Sequence, residues 1–153
     1  MSIEKRLSEL GISLPPAAAP LANYVPYVQE GSLIFIAGQL PRDADGQLAY
    51  VGKLGKDLSV EDGYAAARSC ALHCIAQVKA ALGSLDQVKR VVRVAGFVNC
   101  TDDFTQQPQV LNGASDMIME VFGDKGRHTR VAVGNNALPG GVAVEVEMVV
   151  AAE

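Results

Sequence analysis

A chain of 153 residues with 49% hydrophobic and 20% charged side chains holds a single packed core, which excludes a disordered or low-complexity protein. Thirteen Lys and Arg against seventeen Asp and Glu leave a net charge of −4, a poor match for nucleic-acid phosphates, and no apolar run approaches the roughly 18 residues that cross a bilayer. Three cysteines make no disulfide framework, and the charged start Met1-Ser2-Ile3-Glu4-Lys5-Arg6 lacks the apolar centre of a secretion signal, so a reduced, cytoplasmic setting is expected.

Ile3, Leu7 and Leu10 recur at helical spacing before Gly11 and predict a short amphipathic helix over residues 2–10. Pro15-Pro16-Ala17-Ala18-Ala19-Pro20 then reads as an extended connector, because proline fixes φ and has no N–H to donate. Residues 1–20 are therefore expected to form an extension packed on one domain spanning 21–153. Ser32–Gly38, β-branched and aromatic, predicts a strand. The turn residues Pro41–Gly46 predict a hairpin with Gln47–Val51, and Tyr24–Gln29 is a further candidate strand. Ser59-Val60-Glu61-Asp62 resembles a capping box; Tyr64, Ala67, Ala71, Ile75, Val78 and Leu82 form a helical stripe that Gly83 ends. A valine-rich strand follows over Val88–Val98. Pro108 suits the first turn of a second helix with the stripe Leu111, Ala114, Met117, Ile118 and Val121, closed by Gly123. Thr129–Val133 and Val142–Val150 read as the last strands.

Strands outnumber helices without regular βαβα alternation, which gives an α+β fold: a mixed sheet with two main helices on one face, plus the short N-terminal helix. In the last strand Val144, Val146, Met148 and Val150 alternate with Ala143, Glu145, Glu147 and Val149. The first set suits packing on helices; the natural cover for the second face is another subunit.

Cys70-Ala71-Leu72-His73-Cys74 superficially suggests a metal cluster. On a helix, however, Cys70 and Cys74 are core-facing packing residues, with His73 near the edge. Gly52-Lys53-Leu54-Gly55-Lys56 lacks the spacing of a phosphate loop and reads as a mobile turn. His128 either lines a cleft or stands exposed at a strand end. No metal or cofactor is expected.

The C-terminal stretch carries more. Arg130 starts a strand, Leu138-Pro139 lies in the next loop, and Glu145-Val146-Glu147 lies on the last strand; in order and spacing these resemble the RidA/YjgF family of reactive-intermediate deaminases, also labelled L-PSP endoribonucleases. Ile36-Ala37-Gly38-Gln39-Leu40-Pro41 is similar to the family's SGQ-P hairpin, Tyr24 to its pocket tyrosine and Asn112 to an asparagine opening its second helix. The likeness covers residues 20–152. Ala37 replaces a small hydroxyl residue, His128 a proline and Ala132 a frequent cysteine. Extra residues near Gln106–Gln109 and the first twenty residues mark a divergent, extended branch.

The resemblance implies a chorismate mutase-like (YjgF-like) fold and a homotrimer with clefts between subunits. It implies cofactor-free hydrolysis of enamine or imine intermediates, such as 2-aminoacrylate and 2-imino acids, to 2-keto acids and ammonia. Catalytic roles fall to Arg130 and Glu145, and substrate binding to Tyr24, Gly38, Asn112 and Ala132. The residue types suit the chemistry: a guanidinium grips a carboxylate bidentately, glycine admits a close ligand, and a carboxylate takes a proton from water. Three alternatives stay open. Arg130 pairs structurally with Glu145 or Glu147 across adjacent strands; Tyr27 takes the place of Tyr24; or the protein binds small carboxylates, 2-keto acids among them, without turnover. The RNA-cleaving role in the family label is least supported by the charge.

Overall fold

Ser59 opens the longest element through a reciprocal cap: its hydroxyl accepts from the Asp62 N–H, and the Asp62 carboxylate accepts from the Ser59 N–H, both at 3.1 Å. In the computed structural model, which describes residues 2–153, helix α1 (Ile3–Glu9) precedes strands β1 (Tyr27–Glu30) and β2 (Leu33–Gln39). Helix α2 (Val60–Leu82), strand β3 (Val88–Asn99), helix α3 (Gln107–Phe122), strand β4 (Thr129–Asn135) and strand β5 (Val144–Ala152) follow. Gly83 and Gly123 end α2 and α3 at φ of 81° and 59°, in the left-handed region that the sequence anticipates for them.

The sheet runs β1-β2-β5-β3-β4; β3 and β4 are parallel and every other pair is antiparallel. A parallel pair needs a crossover, and α3 supplies it. The last strand thus lies in the middle of the sheet. Its even-numbered residues Val144–Val150 are buried against the helices, while Glu145, Glu147 and Val149 on the opposite face are only partly covered.

Small residues let α2 and α3 come close. A Cβ on Gly113 would collide with the Tyr64 carbonyl, and one on Gly63 would come within 2.9 Å of Val110 and Leu54. Helix α1 docks through buried Ile3 and Leu7, through Arg6 Nε donating to the Glu120 carbonyl (2.6 Å), and through the Glu4 carboxylate accepting from the Leu85 N–H (3.2 Å). Buried Gln77 on α2 donates to the Ala18 carbonyl (2.7 Å), tying down the connector.

The expected hairpin between Ser32–Gly38 and Gln47–Val51 is not what forms. The partner of β2 is β1, joined through Gly31 at φ 62°. The Pro41–Gly46 turn does form, with the Asp43 carboxylate accepting from the Asp45 and Gln47 amides. The returning chain makes only single bridges, Leu48 to Arg42 and Val51 to Val142, because Tyr50 at φ 54° and Gly52 at φ 141° break the extended run. Nor is residues 52–56 a mobile turn: Leu54 is fully buried, and Lys53 Nζ donates to Asn99 Oδ1 (2.8 Å) and to the Asn136 carbonyl.

Candidate functional site

Between Ile36 and Gln39, strand β2 carries two residues, Ala37 and Gly38, opposite the single Glu147 of β5. This bulge brings the Gly38 backbone against the Glu145 side chain. A Cβ on Gly38 would collide with Glu145 Oε2 and lie 3.0 Å from its carboxyl carbon, so only glycine admits the carboxylate there. Glu145 is half-buried. Burial holds its carboxyl above the usual carboxylate range, and the neighbouring negative charge of Glu147 adds to the shift. Glu147 is itself 3.8 Å from Arg93. A cavity of about 240 Å³ opens beside Glu145 and Gly38, walled by Tyr24, Ala37, Arg42, Pro139 and the connector residues Ala18–Ala22. Tyr24 therefore reaches this site, whereas Tyr27 packs against the core from β1.

Arg130 and Ala132 lie elsewhere. In register, Arg130 stands beside Val94 and Met148, and Ala132 beside Gly96 and Val146, all on the helix-covered face. Arg130 Nη1 donates to Asn112 Oδ1 (3.0 Å) and Ser115 Oγ (3.2 Å), and Nη2 to the Pro108 carbonyl (3.5 Å). Of five guanidinium donors these bonds use three, and Nε and one N–H of Nη2 have no protein acceptor among the described residues, which leaves donors for a carboxylate. Asn112 does not open α3; the helix begins at Gln107 with Pro108 in its first turn, and Asn112 stands in the second turn, where it reaches the edge strand β4.

Glu145 stands in register with Phe97 and Val133 on the open face. Strand β3 separates β4 from β5, so the alternative of an Arg130 ion pair with Glu145 or Glu147 across adjacent strands does not arise, nor does a resting Arg130–Glu145 contact within one chain. The six predicted residues thus form two groups. Tyr24, Gly38 and Glu145 share one cavity, and Asn112, Arg130 and Ala132 share the opposite edge.

Two residues complete the Arg130 group that sequence reasoning did not single out for it. His128 Nδ1 lies 2.6 Å from the Gly126 carbonyl, which only accepts, so Nδ1 carries the proton. In the neutral ring Nε2 is then the acceptor for the Ser115 hydroxyl (2.9 Å), and the Ser115 oxygen is free to accept from Arg130. His128 is consequently a partly buried support of Arg130 rather than an exposed strand end. The signal was the three-residue spacing of Asn112 and Ser115, which puts both on one helix face.

Cys70 and Cys74 are core residues, as expected, and donate weakly to the Val144 and Val146 carbonyls at 3.4 Å; burial pushes both thiols up. His73 is not at an edge: the connector covers it to 6% exposure, and neither ring nitrogen has a protein partner. Among the described residues no helix is long and apolar enough to cross a membrane.

Comparison with known proteins places these features in a wider set. Residues 4–150 match a family model described as "YjgF/chorismate_mutase-like, putative endoribonuclease". Protein TCP17 of Trypanosoma cruzi is 52% identical over 149 residues, covering 97% of this chain and 92% of TCP17. Among solved structures, Atu1372 of Agrobacterium tumefaciens is 44% identical with a TM-score of 0.91, covering 99% of this chain and 92% of its own. A Shewanella oneidensis protein is 39% identical with a TM-score of 0.95 over 99% of both chains. These matches include the N-terminal helix and connector.

Proposed function

The chain belongs to the YjgF/chorismate mutase-like family, and from that premise we propose that it hydrolyses 2-imino acids and their enamine tautomers to 2-keto acids and ammonia, at sites completed between the subunits of a homotrimer. The observation that carries this reading is the division of the site: a guanidinium with two donors to spare on one side of the sheet and a half-buried carboxylate against Gly38 on the other. Neither half is a hydrolytic site alone. A neighbouring subunit that brings its Arg130 edge to the Glu145 cavity supplies what each lacks.

The open face supports such an assembly. Val28, Phe35, Val131 and Val133 are between 42% and 51% exposed there, apolar side chains that a neighbouring subunit would cover.

In the assembled cleft Arg130 binds the substrate carboxylate and fixes the C=N carbon. With the substrate as its protonated imine, Glu145 takes a proton from water as the water oxygen bonds to that carbon, and the C=N electron pair moves to nitrogen, which becomes a neutral amine. Glu145 then returns its proton to the amine. The C–N bond breaks as the C=O bond forms, the Glu145 carboxylate takes the hydroxyl proton and passes it to solvent, and ammonia departs. Burial and the charge of Glu147 raise the Glu145 carboxyl, which makes its carboxylate a stronger base toward the water proton.

Ala37, without a hydroxyl beside Gly38, favours a second reading in which the protein binds 2-keto acids or related carboxylates without turnover. The endoribonuclease role in the family description is opposed by the net charge of −4. Freshly generated 2-iminopropionate separates these readings: keto acid and ammonia released faster by the wild type than by Arg130→Ala or by buffer supports the deaminase. Pyruvate binding that depends on Arg130, without turnover of any 2-imino acid, supports the binder.

A further inference from the structure

Arg42 stands in the wall of the cavity that holds Glu145. Its backbone N–H donates to Ser69 Oγ (3.1 Å) and its Nη1 to the Gly46 carbonyl (2.8 Å), which fixes the side chain against the turn. No carboxylate pairs with it among the described residues. Its neighbour Asp43 is turned inward, accepting from the amides of Asp45 and Gln47. Arg42 and Glu145 are the two charged groups lining this cavity, and they make no ion pair with each other.

The cavity is therefore bipolar. The Glu145 carboxylate lies against Gly38, Arg42, whose guanidinium has no counter-charge among the described residues, contributes to the same wall, and the connector residues Ala18–Ala22 add apolar lining. Gln77, buried and bonded to the Ala18 carbonyl, holds that lining in place. A larger cavity of about 820 Å³ shares Arg42 and Ala18–Leu21 with the first and is lined further on by His73. The imidazole of His73, 6% exposed and with both nitrogens unpartnered, is close enough to feel the Arg42 charge. A guanidinium without a carboxylate partner, next to an imidazole that still has an N–H to donate, suits an anion.

We propose that Arg42 is a specificity residue that binds the distal acid group of the substrate, so that the preferred 2-imino acids carry a second carboxylate at the end of the side chain. This rests on the deaminase reading for the reacting end of the molecule. Arg130 of a neighbouring copy holds the first carboxylate, Glu145 serves the C=N carbon, and the connector encloses the methylene chain leading to Arg42.

The test uses the full chain and two pairs of compounds. kcat/KM is measured for freshly generated 2-iminoglutarate and 2-iminopropionate, and binding of 2-oxoglutarate and pyruvate is measured by calorimetry. The wild type is expected to prefer the dicarboxylate in both by roughly 10- to 100-fold, the worth of a charge-assisted hydrogen bond. Arg42→Ala should collapse that ratio toward one, and Arg42→Lys should keep part of it, with circular dichroism confirming that both variants fold. If 2-iminopropionate is hydrolysed but the ratio is near one, or unmoved by Arg42→Ala, the role of Arg42 is overturned and the deaminase reading stands. If no imine is hydrolysed yet 2-oxoglutarate binds in an Arg42-dependent way, Arg42 keeps its role and the deaminase reading falls. Neither binding nor turnover overturns both.

Discussion

Arg130 and Glu145 are expected to fail differently when altered, because they touch different things. In the proposed reaction Arg130 binds carboxylate in ground and transition states alike, so Arg130→Ala should lose about 2–5 kcal/mol from kcat/KM and also weaken keto-acid binding. In the same proposal Glu145 acts on water, so Glu145→Gln should lower kcat by about 10²–10⁴ with little change in keto-acid affinity. The charge of Glu147 helps raise the Glu145 carboxyl, so Glu147→Gln should move the acid limb of the rate profile to lower pH. The same shift has a sign in stability. A carboxyl raised in the folded state binds its proton more tightly folded than unfolded, so its contribution to stability falls as pH rises from the unfolded value through the folded one. Glu145→Gln should accordingly raise the melting temperature at pH 7 more than at pH 4. Ser115→Ala removes one of the acceptors that hold the Arg130 guanidinium and should raise KM by roughly 2- to 10-fold with kcat largely kept. Arg130 and Glu145 were legible through their order around Leu138-Pro139. Ser115 and Arg42 were not, because one serine on a helix and one arginine after a strand carry no pattern until the fold shows what stands beside them.

Local chemistry made the helices readable: Ser59 with Asp62, Pro108, Gly83 and Gly123 each act within a few residues of the boundary they set. The bulge at Ala37–Gly38 was not readable, because it is defined by what Glu147 on a strand more than a hundred residues later opposes. Nor was the β1–β2 hairpin. Residues 47–51 have strand-like composition, but the positive φ at Tyr50 and Gly52 and the bridges to Val142 and Arg42 take that stretch out of the sheet. Two glycines test this level. Gly38→Ala places a methyl group where Glu145 Oε2 now lies, so it should displace the carboxylate and lower kcat while the thermal melt shifts little. Gly113→Ala pushes against the Tyr64 carbonyl between α2 and α3, and should destabilise by about 1–3 kcal/mol in a denaturant titration.

For the whole molecule the central consequence is that the two residue groups of the proposed site stand on opposite sides of one chain's sheet. The alternation in β5 predicted a face needing cover, and the structure places exposed Phe35, Val131 and Val133 on it with Glu145. Light scattering should report a trimer at micromolar concentration; a stable monomer would remove the means of completing either half. Acid stability has a separate source. Burial under the connector, with the Arg42 charge, lowers the His73 pKa below its usual 6.5. Stability linked to His73 is present above about pH 6.5 and lost as pH falls from there through the lower folded value. His73→Gln should flatten that part of the stability curve in thermal melts between pH 7 and 5.

Mixing two disabled proteins tests the division of the site most directly. Arg130→Ala and Glu145→Gln chains, each nearly inactive on 2-iminopropionate, are unfolded together and refolded as mixed trimers. A cleft with an intact Glu145 from one chain and an intact Arg130 from the next then forms in about one quarter of cases by random assembly around a cyclic trimer. The account predicts that activity returns to about that fraction of the wild-type value. Activity no greater than the sum of the two separate variants, from mixtures shown to contain both chains in one trimer, would contradict it.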